Sequence, residues 1–71
     1  MSGAVHKLIE LVGTSKESVG DAIQTAVSEA SKTLRGLEWF EVTQVRGDIR
    51  DGQVREFQVV MKVGFRLDHH A

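Results

Sequence analysis

Asp51-Gly52 constrains this chain more than any other dipeptide. It separates two long runs rich in β-branched and aromatic residues, Glu38 to Ile49 and Gln53 to Leu67. A two-residue Asp-Gly link favours a tight hairpin, because both residues tolerate positive φ and the resulting turn matches the twist of paired strands. Such a turn pairs Arg50 with Gln53 and thereby fixes every other cross-strand partner. Glu41 falls opposite Lys62, and Asp48 opposite Arg55. Cross-strand pairs of opposite charge contribute about 0.2–1 kcal/mol each, so two at once support the register. Phe40 meets Val63 and Val42 meets Met61. With Phe57, Val59, Phe65 and Leu67 these residues form the face expected to receive a helix.

That helix is predicted upstream, over Lys16 to Arg35. Val19, Ala22, Ile23, Ala26, Val27, Ala30 and Leu34 recur at spacings of three and four, which marks one apolar stripe. Thr14 and Glu17 have capping-box spacing, with Ser15 a rival N-cap, and Gly36 suits the residue just past the end. Before the helix, Val5 to Val12 reads as a first strand carrying apolar groups on both faces, so it is expected to be covered on both sides. The chain is therefore expected to be one α+β domain, residues 1–71, with residues 68–71 a flexible tail.

Composition narrows the function. At 71 residues, a chain that folds alone removes only about 60% of its unfolded surface from water, which makes it marginal as a monomer. Cysteine is absent, which rules out disulfides and thiolate metal sites. Oligomerisation is the remaining staple. A formal net charge of -1 argues against nucleic acid as partner. No apolar run approaches the ~20 residues needed to span a membrane, and the first residues lack a signal-peptide stretch, so a cytoplasmic location is expected.

The hairpin's second face holds the candidate site. Trp39, the only tryptophan, lies there opposite Gly64, with Thr43 opposite Val60, Val45 opposite Gln58 and Leu37 opposite Arg66. A strand glycine often marks close approach to the backbone. Either the indole folds over Gly64, or a planar ligand stacks beside it. Gln58 is six residues from Gly64, or ~20 Å at the rise of an extended strand. If Trp39 and Gln58 serve one small ligand, different subunits must supply them. Arg46 falls on the core face opposite Phe57, unless it snorkels at the margin or a bulge near Gly47 turns it over. For Arg46 and Arg66 two readings stand: ion pairs between subunits with Glu10, Glu38 or Glu56, or an anion site suited to guanidinium geometry. His6 reads as a surface or interface residue. His69 and His70 lie in the polar tail, and no nucleophile–base arrangement or Gly-rich phosphate motif is present.

Val12-Gly13-Thr14-Ser15, Trp39-Phe40-Glu41-Val42, Arg46-Gly47, Gln58-Val59 and Lys62-Val63-Gly64-Phe65-Arg66-Leu67 together resemble the dodecin family, in particular its bacterial branch. The resemblance covers nearly the whole chain. It implies a β-α-β-β fold with one helix packed on a three-stranded antiparallel sheet, assembled as a hollow homododecamer. It also implies a flavoprotein in which flavins stack in pairs between tryptophans of symmetry-related subunits. On that resemblance Trp39 is the stacking indole and Gln58 hydrogen-bonds the isoalloxazine edge. Arg46 and Arg66 match positions contacting the phosphate or ribityl chain of flavin mononucleotide (FMN). Riboflavin and coenzyme A are further ligands suggested by relatives. The expected role is a non-enzymatic flavin store that quenches flavin photochemistry. The alternatives are a structural or interaction oligomer without flavin, and a flavin-dependent reductase.

Overall fold

A computed structural model of the chain describes residues 3–67. The elements run β1 (His6–Ser15), α1 (Val19–Ala30), β2 (Leu37–Arg50) and β3 (Gln53–Arg66). The three strands form one antiparallel sheet in the order β1-β3-β2, so the last strand lies in the centre. This is the expected α+β, β-α-β-β architecture. The expected tail, with His69 and His70, lies outside the described residues.

β1 runs three residues further than Val12. Thr14 and Ser15 still pair, with Gln58 and Phe57. Gly13 therefore does not end the strand. Its role is to admit the helix: a Cβ there would collide with the Ala22 carbonyl and lie 3.0 Å from the Ala26 Cβ. Because Thr14 belongs to the strand, the Thr14–Glu17 capping box does not form, and α1 starts later than Lys16. Ser18 is the N-cap, its Oγ accepting from the Asp21 backbone N–H at 2.9 Å. Ser15 organises the approach instead. Its buried Oγ accepts from the Glu17 N–H and donates to Asp21 Oδ2 at 2.7 Å. The helix also ends earlier than Arg35. After Ala30 the chain continues in turns, with the Leu34 N–H bonded to the Ala30 carbonyl at 3.0 Å. Gly36 then takes φ +75°, and its carbonyl accepts from the Arg66 N–H at 3.1 Å, which ties the helix exit to the end of β3.

The core sits where the alanine row of α1 meets the central strand. Ala22, Ala26, Val59, Met61 and Val63 are buried, flanked by Ile9, Leu11, Val19, Ile23, Val27 and Leu37. Small residues on the helix let it lie close to the sheet. It packs chiefly on β1 and β3 and leaves most of β2 beyond Leu37 uncovered. Phe40 and Val42, expected beneath the helix, are instead 49% and 38% exposed, and Val45 and Ile49 are 53% and 71% exposed. The cause is width: a helix about 10 Å across spans roughly two strands spaced ~4.8 Å apart. The other face of the sheet carries no helix at all, so β1 is not covered on both sides within one chain. Leu8 and Val12 on that face are 48% and 52% exposed.

The hairpin turn is as the Asp-Gly signal requires. Asp51 has φ 54° and Gly52 φ 74°, and Arg50 pairs with Gln53. The register then shifts three times. Between Ile49 and Asp48 the unpaired residue is Arg55, after which Asp48 faces Glu56, Gly47 faces Phe57, Arg46 faces Gln58, Val45 faces Val59 and Gln44 faces Val60. Between Gln44 and Val42 the unpaired residue is Thr43, and the original register returns: Val42–Met61, Glu41–Lys62, Phe40–Val63, Trp39–Gly64. A last shift at Glu38 sets Leu37 against Phe65. These bulges correct five expected pairs, namely Asp48–Arg55, Arg46–Phe57, Val45–Gln58, Thr43–Val60 and Leu37–Arg66. The first two bulges sit on opposite strands and cancel, which is why the base of the hairpin follows the turn while its middle does not. Asp48 and Arg55 still meet through their side chains, at 3.2 Å.

Candidate functional site

Alternation along β3 puts Gln58, Val60, Lys62, Gly64 and Arg66 on the helix-free face, since Val59, Met61 and Val63 point into the core. The bulges decide what β2 adds. Arg46 is turned onto the same face by the bulge at Arg55, on the opposite strand, while Gly47 takes the place opposite Phe57 and is not itself bulged. Val45 is turned the other way, to the helix side.

Two clusters result. At one end the Trp39 indole lies against Gly64: a Cβ on Gly64 would overlap its six-membered ring. The indole nevertheless remains 43% exposed. The His6 ring stands beside it, centroids 5.2 Å apart and tilted by 55°. His6 Nε2 is 2.7 Å from Glu38 Oε1, the residue left unpaired by the last bulge. Arg66 is the strand partner of His6, which places it at the same end. At the other end Arg46 Nε donates to Gln58 Oε1 at 2.9 Å, and Gln58 Nε2 donates to Glu56 Oε1 at 3.1 Å.

The structure thus brings Arg46 to Gln58, and Arg66 to the Trp39 end. It keeps the two clusters apart, because Gly64 and Gln58 remain six residues distant on one straight strand, ~20 Å. Two open hollows among the described residues do not join them. One, of about 250 Å³, lies between the start of α1 and the two hairpin strands, among Val19, Val45, Arg46, Ile49, Val54 and Phe57. The other, of about 150 Å³, is bounded by Val27, Leu37, Trp39, Phe40 and Val63. Both fall below the roughly 300 Å³ of the smallest usual ligand pockets. A single chain therefore offers a planar ligand surfaces, not an enclosure.

The sequence reads His6 as a surface or interface residue, and Glu38 and Glu56 as ion-pair partners for an arginine of another subunit; their places beside Trp39 and Gln58 come from the structure. Glu56 was legible, being two residues from Gln58 and so on its face by alternation. His6 needed the β1–β3 register, which no turn motif announces. Among the described residues, no group of three or more His, Asp or Glu side chains could hold a metal ion, and no helix is long and apolar enough to cross a membrane.

Comparison with known proteins matches residues 5–68 to the family model described as Dodecin. A protein named Dodecin from Thermus thermophilus is 56% identical over 66 residues, which cover 93% of this chain and 96% of the relative. The solved structure of dodecin from Streptomyces coelicolor is similar with a TM-score of 0.91 at 54% identity, covering 99% of this chain and 100% of that one. Dodecin from Streptomyces davaonensis gives a TM-score of 0.90 at 50% identity, covering 96% and 100%.

Proposed function

The chain belongs to the dodecin family of small flavin-binding proteins, and we propose that it is a non-enzymatic store for FMN, held at sites completed between subunits of a homododecamer. The observation that supports this most is the division of the helix-free face. A half-exposed indole backed by Gly64 stands at one end, and an amide hydrogen-bonded to a guanidinium stands ~20 Å away. Neither half encloses a ligand alone. A neighbouring chain that brings its Gln58 end to this chain's Trp39 makes a complete site.

The residue types fit an isoalloxazine. The ring is flat and electron-poor, and indole is flat and electron-rich, so the two stack favourably. Aromatic pairs contribute about 0.5–1.5 kcal/mol beyond the area they bury. In this reading two flavins stack between the Trp39 side chains of two subunits, which multiplies the contact and excludes water. The Gln58 amide provides a donor and an acceptor for the polar edge of the ring. Arg46, and with it Arg66, provides guanidinium groups for the phosphate or ribityl chain. The flavin supplies light absorption and redox chemistry; Trp39, in contact with it, supplies an electron donor that quenches the excited ring. The groups this reading assigns to the ring are an indole, an amide and two guanidinium groups, a set suited to holding a flavin, and on that ground the reading is storage and photoprotection rather than turnover.

Titration of the purified protein with FMN, followed by flavin fluorescence, tests this reading. Strong quenching that saturates near one flavin per chain is expected. Flavin fluorescence unchanged on mixing would contradict it.

A further inference from the structure

The Gln58 amide does not stand free at its end of the face. Its oxygen accepts from Arg46 Nε–H at 2.9 Å and its nitrogen donates to Glu56 Oε1 at 3.1 Å. A guanidinium has donors only, and an ionised carboxylate has acceptors only. Rotating the amide by half a turn would set oxygen against carboxylate and N–H against N–H. An isolated glutamine can present either sense to a ligand; here two neighbours of opposite charge impose one.

We propose that Glu56 is a positioning residue for the flavin site, holding Gln58 in the single amide orientation that receives the ring. The proposal rests on the flavin-binding reading above. An amide has two acceptor lone pairs and two N–H groups. With one of each used internally, one acceptor position and one N–H remain for a ligand. Their complement is a ligand edge carrying an N–H beside a carbonyl, the pattern of a cyclic imide. The pyrimidine part of oxidised flavin has that edge, with a carbonyl on either side of its N3–H. An amide of fixed sense takes the N–H through its oxygen and only one of the two carbonyls through its nitrogen. The orientation of Gln58 therefore determines how the ring lies in its plane, and with it where the ribityl chain emerges relative to Arg46. Arg46 contributes on both counts, since its Nε orients the amide while its terminal nitrogens remain available to an anion.

Binding of FMN and of riboflavin by Glu56→Gln separates positioning from simple charge. Glutamine keeps the size of the side chain but can donate as well as accept, so it no longer imposes an amide sense. If Glu56 positions Gln58, both flavins weaken by roughly two- to tenfold, the range expected for one hydrogen bond. The same substitution then adds nothing in a Gln58→Ala background. If Glu56 acts only through its charge, Glu56→Gln tightens phosphorylated FMN and leaves riboflavin unchanged. That result, or equal losses with and without Gln58, overturns the proposal. Riboflavin modified with a methyl group on N3 gives a second readout. The unaltered protein should discriminate against it, and Glu56→Gln should lose part of that discrimination; full retention counts against the proposal. Failure of the unaltered protein to quench either flavin would instead refute the flavin-binding reading itself, so the two failures are distinguishable.

Discussion

The two ends of the helix-free face are built on different principles. At the Trp39 end one large side chain lies on bare backbone, and its position is set by a missing Cβ at Gly64. Contact there is broad and tolerant of in-plane movement. At the Gln58 end three polar side chains are linked in a row, and position is set by hydrogen-bond polarity. Contact there is narrow and directional. A face of this kind divides the work of recognition: stacking provides affinity for any flat, electron-poor ring, and the polar row selects which ring and in what orientation.

Substitutions at the two ends should therefore fail differently, and the largest effect is expected at the stacking end. Trp39→Ala should weaken FMN by roughly ten- to a hundredfold, as expected when each flavin loses its one indole contact, about one to three kcal/mol of stacking. Quenching should fall with it. Unchanged affinity in the same fluorescence titration would show that stacking is not the main contribution. Gly64→Ala comes next. Its methyl group occupies the position of the indole, so the ring must move away from the strand, and roughly tenfold weaker binding with altered tryptophan emission is expected. Normal emission and affinity would show that the seat is not shaped by Gly64.

At the polar end the losses should be smaller and depend on the ligand. Gln58→Ala should weaken FMN and riboflavin alike, by roughly tenfold. Arg46→Ala should penalise FMN more than riboflavin, because only FMN carries the phosphate. Equal penalties, measured by parallel titrations, would leave Arg46 the task of orienting Gln58 alone. The smallest effect is expected for His6→Ala, about two- to threefold, since its tilted contact with Trp39 is a single aromatic pair.

Much of this architecture is legible in the sequence. The Asp-Gly turn dictates positive φ at both central positions, and the apolar stripe locates the helix. Trp39 over Gly64 follows from counting back from the turn. Counting fails in the middle of the hairpin, because the bulges at Arg55 and Thr43 carry no glycine or proline to announce them. Only the awkward placement of Arg46 opposite Phe57 hinted that the register must shift near Gly47. The start of the helix was misplaced for a related reason. Thr14 and Ser15 have the residue types of a cap, yet pairing with the central strand holds them extended, and Ser18 takes the role. Tertiary pairing overrode a local motif in both places. The row Arg46–Gln58–Glu56 exists only after the bulges, so no reading from the turn alone could have assembled it.

That each site takes its two halves from different chains is the central claim, and mixing chains tests it most directly. Trp39→Ala and Gln58→Ala chains, each weak alone, should be dissociated, combined and reassembled, and FMN quenching measured on the mixed oligomer. If the halves come from different subunits, some sites regain an intact Trp39 and an intact Gln58, and tight quenching returns to a fraction of them. No recovery in a mixed oligomer whose composition is verified would mean that both residues must belong to one chain, and would contradict the account.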